Sequence, residues 1–278
     1  MTRTRPVNTI NWSDWRVSPQ HPLDLSDIPT LPGAHTEAEK QQWPARMAEL
    51  AEQLNRLQAM LYASKTRALL LVLQGMDTSG KDGCIRSVFA HISPLGVRAE
   101  AFGVPQELEY RHDFLWRIHA KTPALGEMVI FNRSHYEDVL VPIVQNTLEH
   151  SMCEERHQHI RHFESLLHDS GVAVVKCYLH ISKQEQKKRL QARLDDPLKH
   201  WKVQASDFED RRHWRAYMHA YENAMQATST DAAPWYVVPA DSKPYRDLLV
   251  AELLVHTLQS MSLVMPSPKL DLTHFKMK

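Results

Sequence analysis

Five short runs read as strands, four of them largely apolar, and the stretches between most of them carry helical spacing. The runs are Ala68–Leu73 (A-L-L-L-V-L), Val97–Phe102, Met128–Phe131 (M-V-I-F), Val172–Leu179 (V-A-V-V-K-C-Y-L) and Ala233–Pro239 (A-P-W-Y-V-V-P). The most apolar of them show no polar alternation, so they read as strands buried on both faces. Met47, Leu50, Leu54, Leu57 and Leu61 step by three and four, one apolar stripe of a helix that T-E-A-E opens at Thr36 and that reaches about Lys65. Further helices are expected over Pro105–His119, Ser151–Ser170, Ile181–Lys202, Ser206–Ala227 and Pro244–Leu263. Ser206 to Glu209 (S-D-F-E) has the form of a capping box. Strands alternating with helices predict an α/β fold, a five-stranded parallel sheet with helices on both faces in three layers. Residues 1–35, rich in Pro, Trp, Ser and Asp without a period, read as an irregular arm pinned by two Trp. Residues 36–263 form the domain, and 264–278 a tail.

The bulk numbers narrow this picture. The 278 residues are 43% apolar and 24% charged, with 33 Lys+Arg against 33 Asp+Glu. A balanced charge argues against a general nucleic-acid binder, which is usually basic. Cys84, Cys153 and Cys177 stand far apart and read as free thiols of a reducing compartment. No leader and no membrane-spanning run is expected, so a cytoplasmic protein without a membrane partner is the simplest reading. The 17 His are numerous, but His157, His159 and His162 lack the spacing that puts two ligands and a third on one site. They read as a solvated helix face.

The chemistry starts after the first strand. Gly75 to Gly83 reads G-M-D-T-S-G-K-D-G, and Gly75, Gly80 and Lys81 fit the first seven positions of the phosphate loop G-x-x-x-x-G-K-[ST]. Small residues let successive N–H groups form an anion nest, and the helix that follows adds its positive end. The eighth position departs: Asp82 stands where Ser or Thr would hold Mg²⁺. The tip of the third strand, Asn132–Asp138 (N-R-S-H-Y-E-D), carries Arg133, Glu137 and Asp138, where a phosphate-loop protein places a metal-directing carboxylate. The charged helical pair at about 183–227, inserted between two strands, has the character of a lid that closes over a charged group.

These stretches together resemble the polyphosphate kinase 2 family. The resemblance rests on the loop itself, D-F-L-W-R-I-H (Asp113–His119), F-N-R-S-H-Y-E-D-V-L-V (Phe131–Val141), the run Leu179–Lys202 and A-P-W-Y-V-V-P-A-D (Ala233–Asp241), in one order from about Thr36 to about Met261. Asn132 in F-N-R-S looks like the class III members, which are associated with phosphorylating both AMP and ADP. Gly103–Glu109 and Pro244 depart from the family's usual pattern.

The resemblance implies a P-loop-kinase-like fold with a helical lid. It also implies Mg²⁺-dependent phosphoryl transfer from inorganic polyphosphate to adenine nucleotides, with Mn²⁺ as a substitute metal, and a homo-oligomer. Carried onto this chain, Gly75, Thr78, Ser79, Gly80, Lys81, Asp82 and Gly83 would cradle phosphates. Lys187, Arg189, Arg193, Lys199 and Lys202 would face the polymer. Asp77, with Glu137 and Asp138, would hold the metal. Lys81, Arg133, Arg189 and Arg193 would neutralise the transferring group, and Arg117, Asn132, Glu137 and Asp138 would meet the acceptor. Two rivals remain. An ATP-dependent nucleoside monophosphate kinase predicts Ser or Thr after Lys81. A non-catalytic polyphosphate- or nucleotide-binding protein predicts loss of Asp77, Lys81 or Arg133.

Overall fold

The structure, a computed structural model, describes residues 11–268 and 270 except 32 and 34. Five strands form one sheet: β1 (Ala68–Gln74), β2 (Val97–Ala101), β3 (Met128–Asn132), β4 (Val172–His180) and β5 (Trp235–Pro239). Their order is β2-β3-β1-β4-β5 and every pairing is parallel. Every residue of β1 is buried, which is why its sequence is continuously apolar: helices cover it on both faces. One layer packs α1 (Glu37–Ser64), α2 (Lys81–Val88) and α10 (Lys243–Ser260) together, and the other α5 (Glu137–Val144), α6 (His150–Asp169) and α9 (Trp214–Thr228). Leu50, Leu54 and Leu61 of the α1 stripe are fully buried, and the helix lies along α10. Thr36 caps it in a reciprocal box with Glu39.

The chain leaves β1 for β2 on one side and crosses from β3 to β4 on the other. A crevice therefore opens at the carboxyl ends of β1, β3 and β4. Register makes this concrete. Leu73 is opposite both Asn132 and Cys177, and the Arg133 N–H donates to the Leu73 carbonyl at 3.0 Å. The residues after β1 and after β3 thus emerge side by side.

Some expectations change. The helix expected over Pro105–His119 is two short ones, α3 (Glu107–Tyr110) and α4 (Trp116–His119). The Asp113 carboxylate accepts from the Leu115 N–H at 2.9 Å, a local turn that competes with helix, and His112 stacks on Trp116 across the break. The basic stretch after β4 is α7 (Lys183–Leu194) followed by a 3₁₀ turn, Pro197–Lys202. The next helix is also split, into α8 (Ala205–Arg212) and α9, and its capping box is Gln204 with Asp207 rather than Ser206 with Glu209. His157 is buried rather than solvated, with Nε2 3.9 Å from Cys153 Sγ. Of the N-terminal arm, Arg16 bridges antiparallel to Tyr236 and Trp12 lies on His256. Residues 1–10 and 271–278 of the expected arm and tail lie outside the described residues.

Candidate active site

The loop between β1 and α2 has three positive φ angles, at Gly75 (+146°), Thr78 (+65°) and Gly80 (+104°). A Cβ at Gly75 would stand 2.8 Å from the Leu179 carbonyl, and one at Gly80 would meet Arg246. Thr78 is β-branched and still left-handed, a conformation that costs energy and concentrates at functional sites. Arg133, the residue after β3, is left-handed as well, at φ +64°. The hydroxyls of Thr78 and Ser79 are buried without a hydrogen-bond partner. Buried polar atoms are normally satisfied, so two orphan hydroxyls in one loop mark a place for a polar ligand.

Charge in the crevice is arranged around Asp77. Arg133 Nη2 donates to Asp77 Oδ1 at 2.7 Å. Burial pushes the Asp77 carboxyl up, but Lys81 and Arg133 outweigh it and hold the group below the usual carboxylate range. Lys81 is buried and donates to the Gly75 carbonyl at 2.7 Å; burial, and then Arg133, push its ammonium down. Glu137 opens α5 and is pushed up by burial, against the pull of Arg133 and Lys81. With its amide nitrogen facing Glu137, Gln74 donates to that carboxylate at 3.0 Å and accepts from the Ser134 hydroxyl. Burial opposes the Arg133 cation, yet Glu137 and Asp77 more than restore it.

Asp82 does not point into the loop. It accepts from Asn132 Nδ2 at 2.8 Å and from Lys202 Nζ at 2.7 Å, so the eighth loop position ties β3 and the lid to α2. Asn132 therefore meets Asp82 before any acceptor. Arg189 also differs from expectation. Its Nη1 donates to the Thr78 and Ser79 carbonyls and its Nη2 to those of Ala240 and Asp241, all within 3.0 Å, while Nε bonds Glu185. It clamps the loop from behind instead of facing a phosphate. Arg193 pairs with Asp207 at 3.5 Å and Lys199 with Asp196 at 2.6 Å, while Lys187 is exposed on α7. Arg117 and Asp138 bind each other at 3.0 Å, and Arg117 also holds the Gly103 carbonyl. That draws Asp138 toward Arg117, apart from the Asp77–Arg133 pair.

From Asp77, Arg133 and Glu137 a cavity of about 710 Å³ runs between the lid and the β2–α4 segment. Its far end is lined by Val104, Tyr110, Phe114, Val141, Pro142 and Leu148, apolar and aromatic groups suited to a flat base. Arg156 lies over the Phe114 ring and bonds the Asp138 carbonyl. On the lid side stand Asp210, bonded by the Tyr217 hydroxyl at 2.8 Å, and Asp207, whose carboxyl contacts that of Asp77. Sequence reasoning missed Arg156, Asp207, Asp210 and Arg246. No motif spacing marks them, because each reaches the site only through helix packing.

The residues fit the cation that the resemblance implies. Asp77 and Asp207 put two carboxyls in contact, which favours a proton or a cation between them, and the orphan Thr78 and Ser79 hydroxyls lie in the same loop. Among the described residues no three His, Cys, Asp or Glu side chains form a cage. An Mg²⁺ held by one or two carboxylates and completed by substrate phosphates and water does not need one.

Comparison with known proteins decides the family. The Polyphosphate kinase 2 (PPK2) family model matches residues 37–265. The chain belongs to the polyphosphate kinase 2 family. The chain is 47% identical over 255 residues to the AMP/ADP-polyphosphate phosphotransferase of Meiothermus ruber, covering 92% of this chain and 96% of that one. It is 39% identical to the ADP-polyphosphate phosphotransferase of Rhodopseudomonas palustris, covering 92% and 93%. A crystal structure of Polyphosphate Kinase 2 from Arthrobacter aurescens TC1 superposes with a TM-score of 0.89 at 39% identity, covering 96% of this chain and 97% of that one.

Proposed function

We propose that this protein is a polyphosphate-dependent nucleotide kinase that transfers phosphoryl groups from inorganic polyphosphate to AMP and ADP. The observation that carries this reading is the base-sized cavity that meets the phosphate loop. The 710 Å³ cavity includes Gly75, Met76 and Asp77, while the cavities of 820 Å³ and 300 Å³ contain no loop residue. An ATP-dependent nucleotide kinase needs room for two bases at one reaction centre. One base site beside a phosphate loop suits a donor made only of phosphates.

In this reading the loop holds the donor end, and the acceptor lies in the cavity with its phosphate toward Arg133. Little covalent work falls to the protein; alignment and charge neutralisation carry the reaction. Arg133, held in place by Asp77, faces the charge that develops on the transferring group. Lys81, buried under the loop, places a second cation there. Glu137 orients the acceptor phosphate or its metal, fixed by Gln74. Asp77 and Glu137 would hold Mg²⁺, or Mn²⁺ in its place, and the cation would supply positive charge against the phosphates. Arg193, Lys187, Lys199 and Lys202 of the lid would meet the polymer by exchanging their present carboxylate partners or solvent for phosphates.

The decisive experiment is a donor–acceptor matrix: polyphosphate or ATP with AMP, ADP, GMP or GDP, with and without Mg²⁺. Product is expected with polyphosphate and adenine nucleotides, and to be lost without the metal. No turnover with any polyphosphate pairing sinks the proposal. Light scattering on the same preparation tests the homo-oligomer.

A further inference from the structure

Arg246 of α10 is an arginine with almost no access to solvent, 2% exposed, and it lies directly behind the donor loop. Its Nε and Nη2 both reach Asp247 Oδ1, at 2.7 and 2.6 Å. Its Nη1 faces the Ser79 carbonyl at 3.4 Å. A Cβ at Gly80 would stand 2.0 Å from that Nη1, and one at Gly83 would stand 3.5 Å from Nη2. The guanidinium therefore lies flat against the start of α2, and Gly80 is the residue that lets it approach.

Arg189 brings a second guanidinium to the Ser79 carbonyl, its Nη1 lying 3.0 Å from the oxygens of both Thr78 and Ser79. The Ser79 carbonyl belongs to the same peptide group as the Gly80 N–H. A carbonyl that accepts from two cations polarises its peptide, and the N–H on the far side becomes a stronger donor. Burying a guanidinium costs several kcal/mol unless its partners compensate. A fold that needed only to fill this space would do so more cheaply with a leucine or methionine.

We propose that Arg246 is a positioning residue for the reaction: with Arg189 it holds the Ser79 carbonyl backward and so aims the Gly80 N–H of the same peptide forward, toward the donor phosphates, while the Ser79 N–H stays on the Met76 carbonyl. It touches no substrate and acts through the loop. The assignment rests on the reading that the loop holds polyphosphate.

The test is steady-state kinetics of Arg246→Met and Arg246→Lys, varying polyphosphate and ADP separately, with thermal melts to confirm folding. Arg246→Met is expected to raise KM for polyphosphate about tenfold, the loss of roughly one charge-assisted hydrogen bond, with KM for ADP little changed. Arg246→Lys, which keeps the charge but loses the fork, should lie between that variant and the wild type. Stabilisation of the folded protein by inorganic triphosphate should weaken in the same order. A purely structural role would lower melting temperature without splitting the two KM values. A folded Arg246→Met enzyme with wild-type KM for both substrates overturns the proposal; if that variant does not fold, the same result for Arg246→Lys does so. A rise confined to KM for ADP supports the clamp and overturns the donor placement, so the two failures read differently.

Discussion

At the scale of single residues, Asn132 and Asp82 explain each other. Asp82 replaces the metal-binding hydroxyl of an ordinary phosphate loop, and the structure turns it away toward Asn132 and Lys202. The amide is the neutral donor that this carboxylate needs. Asn132→Asp would set two carboxylates against each other. At ~4 Å such a pair repels by about 4 kcal/mol for an effective dielectric of ~20, part of which Lys202 would offset. The variant is expected to release Asp82 or Lys202, lower kcat/KM about tenfold, equivalent to ~1.4 kcal/mol, and shift the ratio of AMP to ADP turnover. Rates with both acceptors measure it, and an unchanged ratio would show that Asn132 does not shape acceptor choice.

At the scale of elements, the helix α6 carries a pH-sensitive position that its polar sequence conceals. Burial, with some help from Arg161, pushes the His157 imidazole down to about 4. An unfolded His titrates near ~6.5, so between those values the unfolded chain binds the extra proton. Stability is therefore full above about pH 6.5 and falls as pH drops toward about 4. His157→Gln is expected to shrink the loss of unfolding free energy between pH 7 and pH 4.5 by about 2 kcal/mol. Denaturant titrations at the two pH values read it; equal losses in variant and wild type would place the sensitivity elsewhere, among the carboxylates.

Across the whole molecule, one buried polar network joins elements distant in sequence. Lys176 in the middle of β4 bonds Glu164 of α6, the Tyr136 hydroxyl at the end of the active-site loop and the Thr228 carbonyl at the end of α9. Tyr136 also bonds Glu164 and Thr228, and His135 approaches Glu164 at 3.4 Å. Both members of the ion pair are buried, and burial pushes Lys176 down against the pull of Glu164. Removing one partner leaves a buried charge without compensation, at a typical cost of about 3–5 kcal/mol. Lys176→Met is expected to destabilise by that amount, and adding Glu164→Leu to recover most of it. Urea unfolding of both variants measures this. A double variant as unstable as the single one would show that the network contributes more than its ion pair. Recovery of stability without recovery of turnover would place the network beneath the Asn132–Asp138 loop as its support.

Much of this was legible in the sequence because it is local. Short continuous apolar runs read as doubly covered strands, and β1, β3, β4 and β5 lie where such runs stand, with the phosphate loop after the first of them, while β2 (V-R-A-E-A) is only partly buried. The parallel sheet follows from the alternation of strand and helix, since a parallel crossover needs a connecting helix. Turns that oppose a helix were less visible. Asp113 breaks one helix by bonding Leu115, and Gln204 with Asp207 forms the capping box expected of Ser206 with Glu209. What only the tertiary structure decided is the direction in which long charged side chains point. The resemblance places Arg189 and Lys202 on the polymer and Arg117 at the acceptor, yet here each is held by a carbonyl or carboxylate of another element. A side chain with several rotatable bonds goes to the nearest oxygen, and sequence spacing does not say which oxygen that is.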